Sequence, residues 1–147
     1  MSKKKIYLSG AMGCYVGTEE ENYPKKWRKE VEDLFNLSGN KFTVFNPIRF
    51  YNYDSGCNEK EVMNYELRQL KNSDILLVNL KDIDSSVGTI QEILYAYILG
   101  IPIIAFLPSD TKETFIHPWI HEQIDKCFYG EDLMESAVYY IVDYYGE

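Results

Sequence analysis

The chain has 147 residues, of which 46% are hydrophobic and 26% are charged, and its formal net charge is −8. This length and composition predict a single globular domain, residues 1–147, that buries a core of its own. The negative charge argues against a surface that binds a nucleic acid polymer or an anionic membrane.

The sequence predicts neither a membrane span nor a secretion signal. No apolar stretch approaches the roughly 18 residues that a membrane span needs. The basic residues 3–5 lead directly into a short strand and not into the apolar core of a signal peptide. Cys14, Cys57 and Cys127 are odd in number and lack C-x-x-C spacing, which indicates reduced thiols. We therefore predict a cytoplasmic protein.

The first third of the chain predicts a β-α-β unit. Residues 5–8 form a short strand, and residues 9–13 are small and suit a turn where the backbone approaches a ligand. A tight turn without a ligand explains them equally well, and neither a dinucleotide fingerprint nor a phosphate-binding lysine is present. Residues 19–37 have the apolar spacing of a helix, and residues 42–45 form a second strand.

A loop and a helix follow. Residues 48–57 have no helical or strand period and are rich in aromatic and small polar side chains. A loop of this length is more often functional than idle, so its rings could stack on a planar ligand. Alternatively, Phe50 and Tyr51 plug a sheet edge. Residues 58–72 begin with a capping box and predict a helix. On spacing alone, Glu66 within this helix is a solvated carboxylate.

The most informative stretch begins at a buried strand, residues 74–80. Residues 85–96 then open a helix, which is closed by Gly100 and Pro102. Glu92 is predicted near the first turn of this helix, above the carboxyl end of the strand, where the helix dipole favours an acidic group. Ligands of open α/β sheets bind at this edge.

The last third predicts one more strand and two helices. Residues 101–107 are a continuous apolar run of the buried type. Residues 118–126 predict a helix with Trp119, Ile120 and Ile124 facing inward. Residues 131–145 predict an aromatic-rich amphipathic helix. Its expected packing surface, which could contact another subunit, consists of Val138, Tyr139, Ile141, Val142 and Tyr145.

Two histidines raise the question of a metal site. His117 and His121 are four residues apart, the spacing of a helical metal pair. No nearby carboxylate completes the His-Glu-x-x-His order, so we predict no metal ligands.

This order of elements predicts an α/β fold: a doubly wound, flavodoxin-like or Rossmann-like parallel sheet of four to five strands with helices on both faces. The expected strand order is 2-1-3-4 with a possible fifth strand. The switch point then lies between the first strand and residues 74–80, so residues 7–10 and 86–92 meet at one crevice.

Taken together, the motifs resemble those of the nucleoside 2-deoxyribosyltransferase superfamily over roughly residues 4–107. The resemblance rests on four elements in order: Ile6-Tyr7-Leu8-Ser9-Gly10, Asn46-Pro47, Glu66 eight residues before Asp74, and Val87-Gly88-x-x-x-Glu92-x-x-x-Ala96. It implies small-molecule partners, namely nucleosides or nucleotides and nucleobases, and a homo-oligomer. It implies no metal and no organic cofactor.

The resemblance also implies roles for individual residues. Glu92 matches the glutamate that attacks the anomeric carbon of a 2-deoxyribosyl group, and Tyr7 matches the tyrosine that orients it. Glu66 stands where the family usually has an aspartate that handles the leaving base. Asp74 is expected to anchor the start of its strand. The substrate-binding positions are Ser9, Gly10, Ser86 and Gly88.

One departure from the family pattern leaves the function open. Transferases of this family often carry aspartate six residues before the nucleophile, whereas this chain has Ser86, as the related nucleotide N-hydrolases do. Those hydrolases act on nucleoside 5′-monophosphates, and only Arg49 and Arg68 are candidates to bind a phosphate here. Three functions follow: transfer of the sugar to another base, hydrolysis of a monophosphate, or nucleotide binding without catalysis.

Overall fold

The computed structural model describes residues 3–49, 59–108, 115–130 and 132–146. Most of the aromatic loop predicted over residues 48–57 lies outside these ranges, as does Cys57. Cys14 and Cys127 are free thiols, as predicted. No helix in the described ranges is long and apolar enough to cross a membrane.

A parallel sheet of five strands lies at the centre, in the order β2-β1-β3-β4-β5. This confirms the predicted fold class and strand order, and the possible fifth strand is present at the edge. The strands are β1 Lys4–Gly10, β2 Phe42–Phe45, β3 Ile75–Asn79, β4 Ile103–Pro108 and β5 Lys126–Gly130. β3 is buried along its whole length, as expected for a strand covered on both faces.

Helices cover both faces of this sheet. They are α1 Tyr23–Leu37, α2 Glu59–Lys71, α3 Val87–Leu99, α4 Pro118–Gln123 and α5 Leu133–Tyr145. Short 3-10 turns lie at Gly13–Tyr15, Pro47–Arg49 and Ile83–Ser85. Ile6 and Leu8 of β1 point to the core shared with α1 and α5. Tyr7 points to the opposite core, shared with α2, α3 and α4.

The predicted helix over residues 118–126 is wrong in its second half. Only Pro118–Gln123 is helical, and Lys126–Gly130 forms the edge strand β5. Trp119, predicted to face inward, is 74% exposed, while Ile120 is buried. A helix of six residues presents a single inward face, and Ile120 occupies it.

The helix predicted over residues 131–145 is present as α5. Its apolar face packs on the sheet of its own chain, with Val138 and Ile141 fully buried, and so is not left for another subunit. Tyr139, placed by the sequence on the same packing surface, is instead 51% exposed.

The predicted anchoring role of Asp74 is confirmed. The Lys5 amide donates to Asp74 Oδ2 at 2.8 Å, and the Asp74 amide donates to the Lys5 carbonyl oxygen at 2.8 Å. These bonds align β1 with the start of β3. The carboxyl ends of the two strands therefore meet at the point where the chain's connections diverge, which is where ligands of such sheets bind.

Candidate active site

A cavity of about 730 Å³ opens at this edge of the sheet. Gly10, Met12 and Gly13 supply one wall, α2 supplies a second, and the start of α3 supplies a third. Three of its lining residues are glutamates, Glu59, Glu66 and Glu92, and one is a lysine, Lys60. The topology thus gathers segments that are more than 80 residues apart in sequence, since residues 10 and 92 face the same space.

Glu92 is held at both carboxylate oxygens. The Tyr7 hydroxyl donates to Oε2, and Ser9 Oγ donates to Oε1 at 2.8 Å. Tyr7 and Ser9 are two residues apart on β1, so their side chains leave the strand on the same face. Tyr7 is fully buried and Ser9 is 1% exposed. The predicted orienting contact of Tyr7 is therefore present, and Ser9, predicted to bind substrate, also contacts the carboxylate.

The sequence predicts Glu92 near the first turn of α3, but in the structure it lies in the second turn. The helix begins at Val87 with Ser86 as its N-cap, which makes Glu92 the sixth helical residue. Because the dipole effect fades within the first turn, it contributes little to the ionisation of this carboxylate. The donors on β1 take that role.

Opposing effects set the pKa of Glu92. The pKa lies above its ordinary value, because burial has the largest effect and disfavours the charged form. The hydrogen bonds from Tyr7 and Ser9 and the positive charge of Arg28 lower it. Burial and the neighbouring Glu92 raise the pKa of Tyr7 far above its usual range, so its phenol stays protonated and able to donate.

Glu66 lines the cavity from α2 and is partly buried, so its solvated-face interpretation is wrong. Its Oε1 atom is buried without a hydrogen-bond partner among the described residues. Burial, followed by the charge of Glu92, raises the pKa of Glu66 to about 7, and Arg28 opposes the shift. A carboxyl with this pKa can donate a proton near neutral pH.

The remaining predicted substrate-binding residues, Gly10, Ser86 and Gly88, all line the cavity. Ser86 Oγ is 2.7 Å from Thr89 Oγ1 and accepts from the Thr89 amide at 3.4 Å, so its hydroxyl serves the helix cap. A Cβ on Gly10 would lie 2.8 Å from Cζ2 of Trp27, so only glycine fits there without displacement.

Arg28 is the residue of this site that the sequence analysis missed. It is fully buried, although it stands in a basic stretch after Lys25 and Lys26. The signal is its place on α1, where Pro24, Trp27 and Arg28 share the buried face. Of the arginines considered for a phosphate, Arg68 is exposed and does not line the cavity. The side chain of Arg49 lies outside the described part of the structure.

The two loops that wall the cavity are tied to each other. The Tyr15 hydroxyl, in the β1–α1 loop, donates to Asp82 Oδ2 at 2.7 Å, in the β3–α3 loop. Asp82 has a left-handed backbone, with φ of 55°, which turns the chain toward α3. This contact joins the two loops that carry the cavity-lining residues Gly13 and Ser86.

The described residues contain no group of three or more histidine, cysteine, aspartate or glutamate side chains arranged to hold a metal ion. His117 instead caps α4, with Nδ1 accepting from the Trp119 amide at 3.1 Å.

No protein-family model matches the sequence, and no curated protein sequence matches it significantly. Solved structures, in contrast, are similar to this chain. The 2-deoxyribosyltransferase of the psychrotolerant bacterium Bacillus psychrosaccharolyticus is 26% identical, with a TM-score of 0.65 and 90% of each chain covered. A 2-deoxyribosyltransferase from Leishmania mexicana is 19% identical, with a TM-score of 0.66, over 96% of this chain and 98% of that one.

A third neighbour is the CMP N-glycosidase of Clostridium botulinum. It is 15% identical, with a TM-score of 0.59, and the match covers 97% of this chain and 99% of the other. At this identity the likeness shows the fold. The neighbours confirm the resemblance to the nucleoside 2-deoxyribosyltransferase superfamily, and those with named activities transfer or hydrolyse N-glycosyl groups.

Proposed function

We propose that this chain, which has the fold of the nucleoside 2-deoxyribosyltransferases, cleaves the N-glycosidic bond of 2′-deoxynucleosides and transfers the sugar to another nucleobase. The observation that carries the proposal is the carboxylate of Glu92, fixed at one oxygen by Tyr7 and at the other by Ser9 on the wall of an open cavity. Glu66 lies in the same cavity with a pKa suited to proton transfer.

In the first step, one oxygen of Glu92 attacks the anomeric carbon of the deoxyribosyl group. The bond from that carbon to the base nitrogen breaks, and its electron pair leaves with the base. Glu66 delivers a proton to the departing base, which makes it a better leaving group. The products are a neutral base and a glycosyl ester on Glu92.

In the second step, a nitrogen of an incoming base attacks the same carbon. The ester bond breaks, Glu92 recovers its negative charge, and the proton lost by the incoming base returns to Glu66. Two successive displacements retain the configuration of the sugar, as in retaining glycosidases. Tyr7 and Ser9 stabilise the carboxylate each time it is released.

The second candidate is hydrolysis of a nucleoside 5′-monophosphate, in which water replaces the incoming base. Ser86 favours it, because the transferases often carry aspartate at this position. The charge of the cavity favours the transferase. The described residues that line it include three glutamates, and Lys60 is the only lysine or arginine among them. A phosphate dianion is disfavoured near several carboxylates.

The experiment is to incubate the protein with 2′-deoxynucleosides, with and without an acceptor base, and with deoxynucleoside monophosphates. Exchange of bases supports the transferase, and release of base from monophosphates alone supports the hydrolase. The matched variants are Glu92→Gln and Glu59→Gln, since both residues line the cavity. Equal, measurable activity in these two variants and the wild type would reject Glu92 as the nucleophile, and no activity in any of them would leave nucleotide binding without catalysis.

We also propose that the chain forms a homo-oligomer through the outer face of α3. This face, defined by Val87, Leu94, Tyr97 and Ile98, is exposed and carries no charge. Exposed apolar surface of this kind marks an interface. It begins at Val87, which also lines the cavity, so a second copy seated there would border the active site.

The oligomer is tested by light scattering after size exclusion. Ile98→Glu is expected to give a smaller species than the wild type. Leu37→Glu, a change at an exposed position on α1 at the opposite face of the sheet, is expected to leave the mass unchanged. A monomeric wild type would contradict the proposal. The cytoplasmic location and a role in nucleoside salvage remain part of the proposed function.

A further inference from the structure

Arg28 carries its charge in an unusual setting. Its side chain is fully buried. Nη2 donates to the Gly10 carbonyl oxygen at 3.0 Å and Nη1 to the Pro24 carbonyl oxygen at 3.1 Å. The guanidinium carbon lies 4.4 Å from the centre of the Trp27 ring. Within the described ranges, no carboxylate forms an ion pair with it and Nε has no acceptor.

Burying a cation without an ion-pair contact costs several kcal/mol. The two bonds to backbone carbonyls offset this cost only in part, because Nε has no acceptor among the described residues. Arg28 therefore has another role, and its contacts indicate which. The Gly10 carbonyl ends the strand that carries Tyr7 and Ser9, the two donors to Glu92.

Four titratable groups face the guanidinium from the surrounding elements: Glu92 on α3, Glu66 on α2, Tyr7 on β1 and Tyr15 in the loop after β1. Burial lowers the pKa of Arg28 to about 10, so it remains charged at neutral pH. Its charge acts on both carboxyls, lowering the pKa of Glu92 and of Glu66.

We propose that Arg28 is a positioning residue of this site. Its buried charge favours the anionic form of Glu92 between turnovers, and its bond to the Gly10 carbonyl fixes the end of β1 that holds Glu92. It touches no reacting atom. The inference deepens the proposed function and rests on it, because it assigns a role in a reaction that needs an ionised Glu92 and a protonated Glu66.

Arg28→Gln removes the charge and retains an amide donor for the Gly10 carbonyl, whereas Arg28→Lys retains the charge. An opposite charge nearby shifts the pKa of a carboxyl by about one to three units. In Arg28→Gln both limbs of the pH profile of kcat/KM are therefore expected to move upward. At pH values below the acid limb, kcat/KM of Arg28→Gln is expected to be about 10- to 1,000-fold lower than that of the wild type. Arg28→Lys is expected to keep the wild-type limbs.

Arg68→Gln is the matched control, since it removes an exposed arginine from α2 and so makes the same change in net charge. Its pH profile is expected to match that of the wild type. A folded Arg28→Gln protein with unmoved limbs would overturn the proposal. A displacement in Arg28→Lys as large as in Arg28→Gln would also overturn it, because shape and not charge would then be responsible.

A second measurement does not depend on activity. NMR titration of carboxyl-labelled glutamates, assigned with Glu92→Gln and Glu66→Gln, follows both carboxyls in the wild type and in Arg28→Gln. We expect the Glu92 carboxyl to titrate below that of Glu66 in the wild type, and both to rise in Arg28→Gln. If Arg28→Gln does not fold, a wild-type Glu92 that titrates above Glu66 still overturns the proposal. Absence of base release with these titrations as expected would reject the proposed function alone.

Discussion

Removing the Tyr7 hydroxyl is the most informative single-atom change in this site. Tyr7→Phe leaves the buried ring, which packs on Phe45 at 5.1 Å between centroids, and deletes only the donor to Glu92 Oε2. Ser9 still donates to Oε1. The carboxylate thus loses one of its two side-chain donors, and the core keeps its shape.

The size of the effect follows from the type of bond. A hydrogen bond to a charged group contributes about 1.5–3 kcal/mol. Losing it raises the pKa of Glu92 by about one to two units, since one unit corresponds to about 1.36 kcal/mol. We therefore expect kcat/KM to fall about 10- to 150-fold on the acid side of the profile.

The assay is base release or exchange measured across pH. The acid limb of kcat/KM should move upward in Tyr7→Phe, while the alkaline limb, which belongs to Glu66, should stay in place. This distinguishes the variant from Arg28→Gln, in which both limbs move. Tyr144→Phe, at an exposed position on α5, is the control. An unmoved acid limb in a folded Tyr7→Phe protein would refute the reasoning.

Two further predictions concern Glu66 and Gly10. Glu66→Gln should abolish the alkaline limb near pH 7. It should also slow the release of bases that must be protonated to leave, and we expect this release to be about 10²- to 10⁴-fold slower than in the wild type. The folded pKa of Glu66 is raised above its unfolded value, so its ionisation costs stability as pH rises through about 7. Thermal unfolding should therefore show Glu66→Gln to be the more stable protein at pH 8; a less stable one would contradict this. Gly10→Ala should lower the free energy of unfolding by about 1–3 kcal/mol, because the new methyl group meets Trp27 at 2.8 Å. Gly88→Ala should leave the free energy of unfolding unchanged, because a methyl group there meets open space. Equal losses of stability in the two variants would contradict the prediction, since the contact with Trp27 would then not be the cause.

The sequence predicts the sheet well, because four strands are apolar runs with turn signals at their ends. β5 is not predicted from the sequence, because it is not a continuous apolar run. As an edge strand it has no fully buried residue, and its pattern is indistinguishable from the end of a helix. The apolar character of Trp119 predicts that it faces inward, whereas the helix that carries it is too short to bury two faces.

The site is predictable where a residue carries its own chemistry in a recognisable spacing. Tyr7 and Glu92 meet as expected, since the strand order alone brings their elements together. Arg28 could not be found in this way. A basic side chain on a helix is normally solvated, and the burial of Arg28 depends on its contacts with the Trp27 ring and with the carbonyl at the end of β1. Likewise, the position of Glu92 in the second turn depends on where Ser86 caps the helix.

The most direct test of the account is mass spectrometry of the protein after brief incubation with a 2′-deoxynucleoside and no acceptor base. We expect a fraction of the wild-type chain to gain the mass of one deoxyribosyl group, mapped to the peptide that contains Glu92. Glu92→Gln should show no such gain, and addition of an acceptor base should remove it from the wild type. Release of base without a sugar adduct on Glu92, or an adduct on another residue, would contradict the central claim.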